Sequence, residues 1–296
     1  MIGGGPAGLT AAIYLARFHL AVKVVDAGDS RASMIVRTHN HAGFPGGISG
    51  DALLGRMRAQ ARSFGVSIET GRVTRLETSG DMFEGEWGEG TVPARSVLLA
   101  TGVHNRRPSI DESLHQAALK AGLLHYCPVC DGFEVTDRNI AVIGAGEHGM
   151  DEAVFLRSFS PKVTLIAPDA PHGFGAEALA KLSACEIAAI DGPCHVARID
   201  GEEIVIDTVR GPLGFDALYP ALGSDVNSDL ALSIGADVSD AGCILVDAHQ
   251  RTSVPGVYAA GDVVIGLDQI SHAMGKGGVA ATAIRNDLAK AAPLLR

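Results

Sequence analysis

Two cysteines spaced two residues apart, Cys127 and Cys130, are the residues whose type and spacing most directly indicate chemistry. An acid, Asp131, follows the second cysteine directly. This spacing permits a small-ring disulfide that opens and closes reversibly, and it also supplies half of a zinc site. The sequence has no second Cys-x-x-Cys and no paired Cys/His set at ligand spacing, which argues against zinc, and we predict no metal centre.

Two glycine-rich turns of the pattern Gly-x-Gly-x-x-Gly bracket this cysteine pair. The pattern allows a tight turn and lets the backbone approach a pyrophosphate at a helix N-terminus. Its glycines are Gly3, Gly5 and Gly8 in the first turn and Gly144, Gly146 and Gly149 in the second. A redox dithiol between two dinucleotide-binding units suggests that electrons pass between a flavin and a thiol.

The first turn has the surroundings that make this pattern specific. A helical pattern with one apolar face follows it, and residues 22–26 then read as a buried strand that ends in Asp26. An acid at that position is expected to bind a ribose hydroxyl. The first strand should begin several residues before Gly3, whereas only Met1 and Ile2 precede it, so we interpret the N-terminus as short or misassigned.

The second turn lies in another predicted βαβ unit, with strands at 139–143 and 163–166 and a helix at 151–159. The segment after the second strand contains Asp169 and no nearby arginine or lysine, although a 2′-phosphate normally needs such a cation. Asp169 would repel a phosphate and could instead accept hydrogen bonds from an unphosphorylated ribose; otherwise it is a solvated turn residue. NADPH is therefore disfavoured, and the use of any NAD(P)H stays open.

Three further predictions concern the remaining elements. Residues 186–190, 196–200 and 204–208 read as a meander of short strands, and residues 243–247 read as a strand. Residues 269–288 predict a long final helix that is interrupted or preceded by the glycine-containing stretch 275–278.

The bulk composition bounds the class of protein. The chain has 296 residues, of which 47% are hydrophobic, and this favours a folded protein with a sizeable core. Its formal net charge is -10 and it has no basic cluster, so nucleic acid and anionic membranes are unlikely partners. No apolar run reaches the roughly 18 residues of a spanning helix, and the start lacks a cleavage signal, so a cytoplasmic protein is expected.

In this arrangement the chain resembles the low-molecular-weight thioredoxin reductase family over essentially its whole length. The motifs that carry the resemblance, in family order, are Gly3-Gly4-Gly5-Pro6-Ala7-Gly8, Ala100-Thr101-Gly102, Cys127-Pro128-Val129-Cys130-Asp131-Gly132, the turn at 144–149 and Gly256-Val257-Tyr258-Ala259-Ala260-Gly261-Asp262. The resemblance implies an α/β fold with two Rossmann-like, three-layer dinucleotide-binding domains, the second inserted in the first. We expect an FAD-binding domain at 1–107 and 239–296, and a pyridine-nucleotide-type domain carrying the cysteines at 108–238.

The resemblance also implies roles for individual residues. Asp262 is expected at the ribityl side of FAD, and Gln269 and Ile270 are expected near the isoalloxazine and the final helix. Further FAD contacts are assigned to Pro6, Ala7, Asn40, Thr101, Gly102 and Gly261. Family chemistry implies that Cys127 attacks the substrate disulfide, that Cys130 faces the flavin, and that Asp131 protonates the leaving thiolate. The family is homodimeric, and the expected partner is a thioredoxin-like protein or a small dithiol or disulfide.

Two departures from the family pattern leave the electron partner open. The basic motif that holds the NADPH 2′-phosphate is missing, and Asp29-Ser30-Arg31-Ala32-Ser33 replaces a Gly-Gly-Gln stretch near the flavin. Both traits resemble atypical relatives, namely dithiol oxidases that pass electrons to oxygen and reductases that use ferredoxin or another donor instead of NADPH. NADH and NADPH stay in the comparison. An alternative from a different class is a flavin-binding regulatory protein with a vestigial second turn.

Overall fold

The structure, a computed structural model, describes residues 1–88 and 90–295 and divides them into two compact units. The first unit contains Met1–Arg37, His41–His104 and the chain from 225 onward, and the second contains Thr38–Asn40 and Asn105–Ser224. The second unit is therefore inserted in the sequence of the first. Residues 225–238, which the sequence analysis assigned to the second domain, lie in the first unit.

Helices and strands alternate in the two βαβ units, and a run of consecutive strands follows each of them. In chain order they are α1 (Pro6–Arg17), β1 (Lys23–Asp26), α2 (Gly50–Ser63), β2 (Ser67–Thr70), β3 (Val73–Ser79), β4 (Met82–Trp87), β5 (Gly90–Ala94), β6 (Val97–Leu99), β7 (Val103–Asn105), α3 (Glu112–Ala121), α4 (Pro128–Asp131), β8 (Asn139–Gly144), α5 (Gly146–Leu156), β9 (Lys162–Ile166), α6 (Ala176–Ala184), β10 (Ala188–Ile190), β11 (His195–Asp200), β12 (Glu203–Thr208), β13 (Gly211–Phe215), β14 (Ala217–Ala221), β15 (Ser224–Val226), α7 (Asp229–Ser233), β16 (Val257–Ala259) and α8 (Ile270–Ala291).

A parallel sheet forms the centre of the first unit. Strand β1 pairs with β2, and β6 pairs with β16. Ile2 makes parallel bridges to both Val25 and Leu99, so it joins the two pairs and takes the place of the first strand of the βαβ unit. The central strands are apolar and buried because helices cover the sheet. A separate antiparallel sheet, β3-β4-β5, completes the unit.

Helices α1 and α8 pack against each other through small residues, mostly alanines, in one core cluster of the first unit. The two backbones approach closely at Gly277, where an added Cβ would lie 2.4 Å from the carbonyl oxygen of Ala7. Helix α8 is continuous over 22 residues, so the predicted interruption at 275–278 is wrong. Gly277 is tolerated there because close contact with α1 supplies the stability that helix propensity lacks.

One predicted strand of the first unit is absent. Residues 243–247 form no strand, and Ile244 makes only isolated bridges, to Val238 and Val264. The apolar side chain of Ile244 is buried because it packs in the core of the unit, not because it belongs to a sheet. An apolar run thus predicted burial correctly and the strand incorrectly.

The second unit has its own parallel sheet, with strand order β10-β9-β8-β14, and a separate antiparallel sheet, β11-β12-β13. Residues 188–190 therefore belong to the parallel sheet, where Ile190 pairs with Ile166, and not to the predicted meander. The remaining strands of that prediction, together with β13, do form a meander. Among the described residues, no helix is long and apolar enough to cross a membrane.

Candidate functional site

Cys127 and Cys130 are joined by a disulfide at the start of the short helix α4, with their Cα atoms 5.2 Å apart. The amide of Cys130 donates to the carbonyl of Cys127 at 2.8 Å, so the two-residue spacing closes into a single turn. Two apolar side chains beside this turn are exposed, Val129 by 50% and Phe133 by 80%. Across the described chain, no group of three or more His, Cys, Asp or Glu side chains could hold a metal ion.

The carboxylate of Asp131 is held by two side chains that the sequence analysis did not anticipate. The Tyr219 hydroxyl donates to Oδ1 at 2.8 Å, and Nδ1 of His125 lies 2.7 Å from Oδ2. The imidazole of His125 also stacks on the Tyr219 ring, with centroids 4.9 Å apart. Its other nitrogen, Nε2, lies 2.9 Å from the carbonyl oxygen of Gly122. The acid that follows the cysteines is therefore fixed in position on both oxygens.

Only one of these two partners left a signal in the sequence. His125 lies two residues before Cys127, so its proximity to the cysteines could have been inferred. Tyr219 comes from β14, far along the chain, and the sheet register alone brings it to Asp131. Burial, and then the Asp131 carboxylate, raise the pKa of Tyr219 far above its ordinary value, so its hydroxyl stays protonated and donates.

A second acid, Glu152 of α5, lies close enough to Asp131 for the two charges to interact. Burial, and then the charge of Asp131, raise the pKa of Glu152 to about 7. Two carboxyls of this site thus have different environments, because Asp131 is hydrogen-bonded on both oxygens and Glu152 is partly desolvated.

The first glycine-rich turn has the geometry that its sequence predicts. Gly3 has a φ of +106°, and a Cβ added at Gly8 would lie 2.1 Å from the Gly3 carbonyl oxygen. The buried Asp26 at the end of β1 accepts hydrogen bonds from the amides of Gly4 and Gly28, at 3.2 and 3.1 Å. Helix α1 then begins with Pro6, and the amides of its first turn lack partners inside the helix, as an anion site requires. This tight cradle fits the pyrophosphate of a dinucleotide.

Asp262 lies near the first glycine-rich turn. The preceding residue, Gly261, approaches Ala7 of that turn so closely that an added Cβ would lie 3.0 Å from the alanine Cβ. Arg31 binds Asp262 at 3.3 Å and Asp268 at 2.9 Å. Burial, and then the Asp268 carboxylate, raise the pKa of Asp262 to about 6, although Arg31 opposes this shift. The pairing of Arg31 with both acids is a contact that the sequence analysis missed.

The other predicted FAD contacts lie in three places. Thr101 and Gly102 both bind Asn227, the threonine by donating from Oγ1 to its carbonyl at 2.6 Å. Gln269 and Ile270 lie at the start of α8. Asn40 belongs to the second unit, where its amide donates to the carbonyl of Val129, between the two cysteines, at 3.4 Å.

The second glycine-rich turn is equally tight. A Cβ added at Gly149 would lie 2.7 Å from the carbonyl carbon of Gly144, and Gly146 has a φ of +62° at the start of α5. Asp169 follows the neighbouring strand β9 in the predicted turn. Two cations of this unit are already engaged: Arg157 donates to the carbonyls of Cys185 and Ser160, and Lys181 lies 2.8 Å from Asp151.

Two tight dinucleotide turns and a reversible disulfide beside a positioned acid define a flavin-dependent disulfide oxidoreductase. The chain matches the family described as "Pyridine nucleotide-disulphide oxidoreductase" over residues 1–277, and it belongs to that family. Within it, the protein resembles the low-molecular-weight thioredoxin reductases, which confirms the family, fold and enzyme class predicted from the sequence.

Three relatives illustrate the similarity. The thioredoxin reductase of Streptomyces coelicolor is 32% identical over 278 residues, which cover 89% of this chain and 85% of the relative. That of Peptoclostridium acidaminophilum is 30% identical over 308 residues, covering 95% and 94%. The solved thioredoxin reductase of Streptococcus pyogenes superimposes with a TM-score of 0.87 at 28% identity, covering 98% of this chain and 97% of that one.

Proposed function

We propose that this flavoenzyme moves electrons between FAD and a thiol or disulfide partner through Cys127 and Cys130, with an electron partner other than NADPH. The observation that carries the proposal is the disulfide followed directly by Asp131, whose two oxygens are held by Tyr219 and His125. A structural disulfide needs no acid fixed in this way, whereas thiol exchange needs a general acid that protonates the leaving thiolate.

The first unit supplies the residues that would hold FAD. The amides at the start of α1 would bind the pyrophosphate, Asp26 the adenosine ribose and Asp262 the ribityl chain. FAD, when bound, supplies two-electron redox chemistry. We assign to the same unit the other predicted contacts except Asn40, which lies beside the cysteine turn.

The second unit supplies the thiol chemistry. In the reduced state the Cys127 thiolate attacks the partner disulfide, Asp131 protonates the thiolate that leaves, and Cys130 then closes the Cys127–Cys130 disulfide. The exposed side chains of Val129 and Phe133 offer an apolar surface around this turn. We propose a thioredoxin-like protein as the partner, because the relatives include thioredoxin reductases, or alternatively a small dithiol or disulfide.

The turn after β9 supports the assignment of the electron partner. A 2′-phosphate there would meet Asp169, and the cations Arg157 and Lys181 are bound to other groups. We therefore propose that NADPH is a poor donor. NADH, oxygen as acceptor in a dithiol oxidase, and ferredoxin or another donor are the candidates for the electron partner.

We further propose that the protein is a cytoplasmic homodimer. Three cysteines of the described chain, Cys185, Cys194 and Cys243, are free thiols, which fits a reducing compartment. Exposed apolar residues of the first unit, including Ile265 and Leu267, fit a subunit interface. Sedimentation equilibrium tests the dimer directly.

The first experiment tests the dithiol and the flavin together. We expect the purified protein to be yellow, Cys130→Ser to lack the charge-transfer absorbance between thiolate and flavin, and Cys127→Ser to enhance it, because the second variant leaves the Cys130 thiol free. Cys185→Ser, which changes a free cysteine of the same unit, is the matched control and should keep the wild-type spectrum. A colourless protein that takes up no FAD would refute the cofactor assignment, and the reverse pattern would exchange the two cysteine roles.

The second experiment tests the donor by stopped-flow reduction of the flavin without oxygen, with NADH and NADPH at matched concentrations. We expect NADPH to reduce the flavin slowly or not at all, and no faster than NADH. Asp169→Ala is informative because it removes the repelling charge and should raise the rate with NADPH more than the rate with NADH. Rapid reduction of the wild-type protein by NADPH in preference to NADH would overturn the assignment.

A further inference from the structure

The contacts of His125 require a proton between this residue and Asp131. Nε2 of His125 lies 2.9 Å from the Gly122 carbonyl oxygen, which can only accept, so Nε2 carries a hydrogen. Nδ1 lies 2.7 Å from Oδ2 of Asp131. A neutral imidazole with its hydrogen on Nε2 has only a lone pair on Nδ1, which would repel a carboxylate. The short contact therefore needs one more hydrogen, carried either by Nδ1 as an imidazolium or by Oδ2 as a carboxylic acid.

The groups around this pair do not remove that proton. On β14, Tyr219 donates its own hydroxyl hydrogen to Oδ1, and its raised pKa keeps that hydrogen in place. On α5, Glu152 adds negative charge when it is ionised, which favours a proton on the pair. Glu134, after α4, also adds negative charge near Tyr219. The acids on the surrounding elements thus act in the same direction.

We propose that His125 and Asp131 hold one shared proton and that His125 is a positioning residue that keeps Asp131 supplied with it for the leaving thiolate. This inference rests on the proposed role of Asp131 in thiol exchange. Because Nδ1 of His125 and Oδ2 of Asp131 lie 2.7 Å apart, the hydrogen between them is bound by both groups and lies beside the cysteines. The pair can therefore deliver it to the leaving thiolate.

The exchange balances with two protons, the shared one and the thiol proton of Cys130. The Cys127 thiolate forms a bond to one sulfur of the partner disulfide, the partner S–S bond breaks, and the departing thiolate takes the shared proton. Cys130 then gives its thiol proton to the empty pair, and its thiolate attacks Sγ of Cys127. The second partner thiolate departs and takes that proton. Two electrons pass from the dithiol to the partner, and the pair regains one proton from water.

The experiment compares two disulfides that differ in how basic their leaving thiolate is. The full-length protein is reduced with a phosphine, freed of reductant and mixed with either an alkyl disulfide, hydroxyethyl disulfide, or an aryl disulfide, dithiobis(nitrobenzoate). An alkyl thiolate is basic and needs a proton to leave, whereas the aryl thiolate is weakly basic and leaves without one. We expect His125→Asn to slow exchange with the alkyl disulfide by about tenfold at pH 7.5, while exchange with the aryl disulfide stays within about twofold.

The variants Asp131→Asn and His125→Asn/Asp131→Asn complete the test, because residues that act as a unit give non-additive losses. We expect the double variant to be no slower than Asp131→Asn alone. His195→Asn, an exposed histidine on β11 of the same unit, is the matched control and should match the wild type with both disulfides. Equal slowing with both disulfides, or no slowing with either, would overturn the inference. A wild-type protein that exchanges with neither would instead refute the proposed function.

A second measurement does not depend on how well the variants fold. Nitrogen-15 NMR of the histidines in the oxidised wild-type protein at pH 7.5 should show Nε2 of His125 protonated, with Nδ1 either protonated or accepting a strong hydrogen bond. A neutral imidazole with its hydrogen on Nδ1 and a bare Nε2 would overturn the shared proton.

Discussion

At the scale of single residues, burial sets the protonation of the acids more than their sequence neighbours do. Glu152 and Asp262 both have a raised pKa because they are desolvated and each lies near another carboxylate. Asp287 shows the opposite case, since hydrogen bonds from Arg251 and Tyr258 hold its pKa well below the usual range. Burial and neighbours in space, not neighbours in sequence, therefore determine whether the pKa of a carboxyl is raised or lowered.

The raised pKa of Glu152 makes stability fall as pH rises. Its pKa is about 7 in the fold against 4.5 for a glutamate side chain in water, so between these pH values the folded state holds a proton that the unfolded chain has released. We expect Glu152→Gln to increase the free energy of unfolding by about 2 kcal/mol at pH 8 and to change it little near pH 4.5. Urea unfolding at the two pH values checks this.

Glu147→Gln provides the control for that measurement, because Glu147 is exposed in the first turn of the same helix. Its effect on the free energy of unfolding should be small and nearly independent of pH. A Glu152→Gln effect of equal size at both pH values would mean that the carboxyl is not selectively protonated in the fold.

The residue types at the site were predictable only where the chain itself brings them together. The spacing in the sequence alone predicted that Cys127, Cys130 and Asp131 form one site, and His125 lies two residues before Cys127. Tyr219 and Glu152 reach Asp131 only through the packing of β14 and α5, which depends on long-range register. Their roles could not be predicted, because the local sequence around a buried tyrosine or a helical glutamate does not show whether its side chain will lie near a carboxylate of another element.

At the scale of elements, close packing between α1 and α8 decides where glycine is required. Gly277 lies against the Ala7 backbone, whereas a Cβ added at Gly275 on the same helix would meet open space. Both glycines look alike in the sequence, and both weaken an isolated helix. The difference between them comes from the helix that packs alongside, and this is why the sequence predicted an interruption that does not occur.

These two glycines give a prediction with its own control. We expect Gly277→Ala to lower the free energy of unfolding by roughly 2–3 kcal/mol, because the added carbon would overlap the Ala7 carbonyl and push α8 away from α1. Gly275→Ala should instead raise it by up to about 1 kcal/mol, since alanine is the better helix former. Urea denaturation followed by circular dichroism compares them. Equal effects of the two substitutions would show that α1 and α8 do not pack as closely as described.

Secondary structure from the sequence was most accurate for the two βαβ units and least accurate for short apolar runs. Strands β8 and β9 follow their patterns closely, whereas the helix predicted at 151–159 is α5, which begins at Gly146 and ends at Leu156. The runs at 186–190 and 243–247 were misassigned, one to the wrong sheet and one to a strand that is absent. A short apolar run reports burial, and pairing partners are decided elsewhere in the chain.

At the scale of the whole molecule, the described chain divides its chemistry between two units. The first unit contains the first glycine-rich turn, Asp26 and Asp262, and the second unit contains the disulfide and Asp131. Motif order in the sequence was enough to predict an inserted second domain, because the two glycine-rich turns each begin a βαβ unit. It was not enough to assign residues 225–238, whose turn and short helix α7 carry no motif.

This division predicts that cofactor binding and thiol exchange can be separated by single substitutions. We expect Asp262→Ala to lose most of its flavin, seen as a lower ratio of absorbance at 450 to 280 nm, while its chemically reduced cysteines still exchange with an aryl disulfide. The reason is that Asp262 belongs to the first unit and the cysteines to the second. Asp240→Ala, at an exposed turn of the first unit, should keep its flavin. Loss of aryl disulfide exchange in Asp262→Ala would contradict this independence.

The insertion also sets an order of events while the chain emerges from the ribosome. Strands β1 and β6 of the first unit are synthesised early. The strand that pairs with β6 and the helix that packs on α1, namely β16 and α8, are synthesised only after the whole second unit. All segments of the second unit have been synthesised by residue 224. Because domains fold as units during synthesis, the inserted unit is free to fold first, although the chain began with the other one. Until β16 and α8 have been synthesised, β6 and α1 lack the strand and the helix that they pack against in the folded unit.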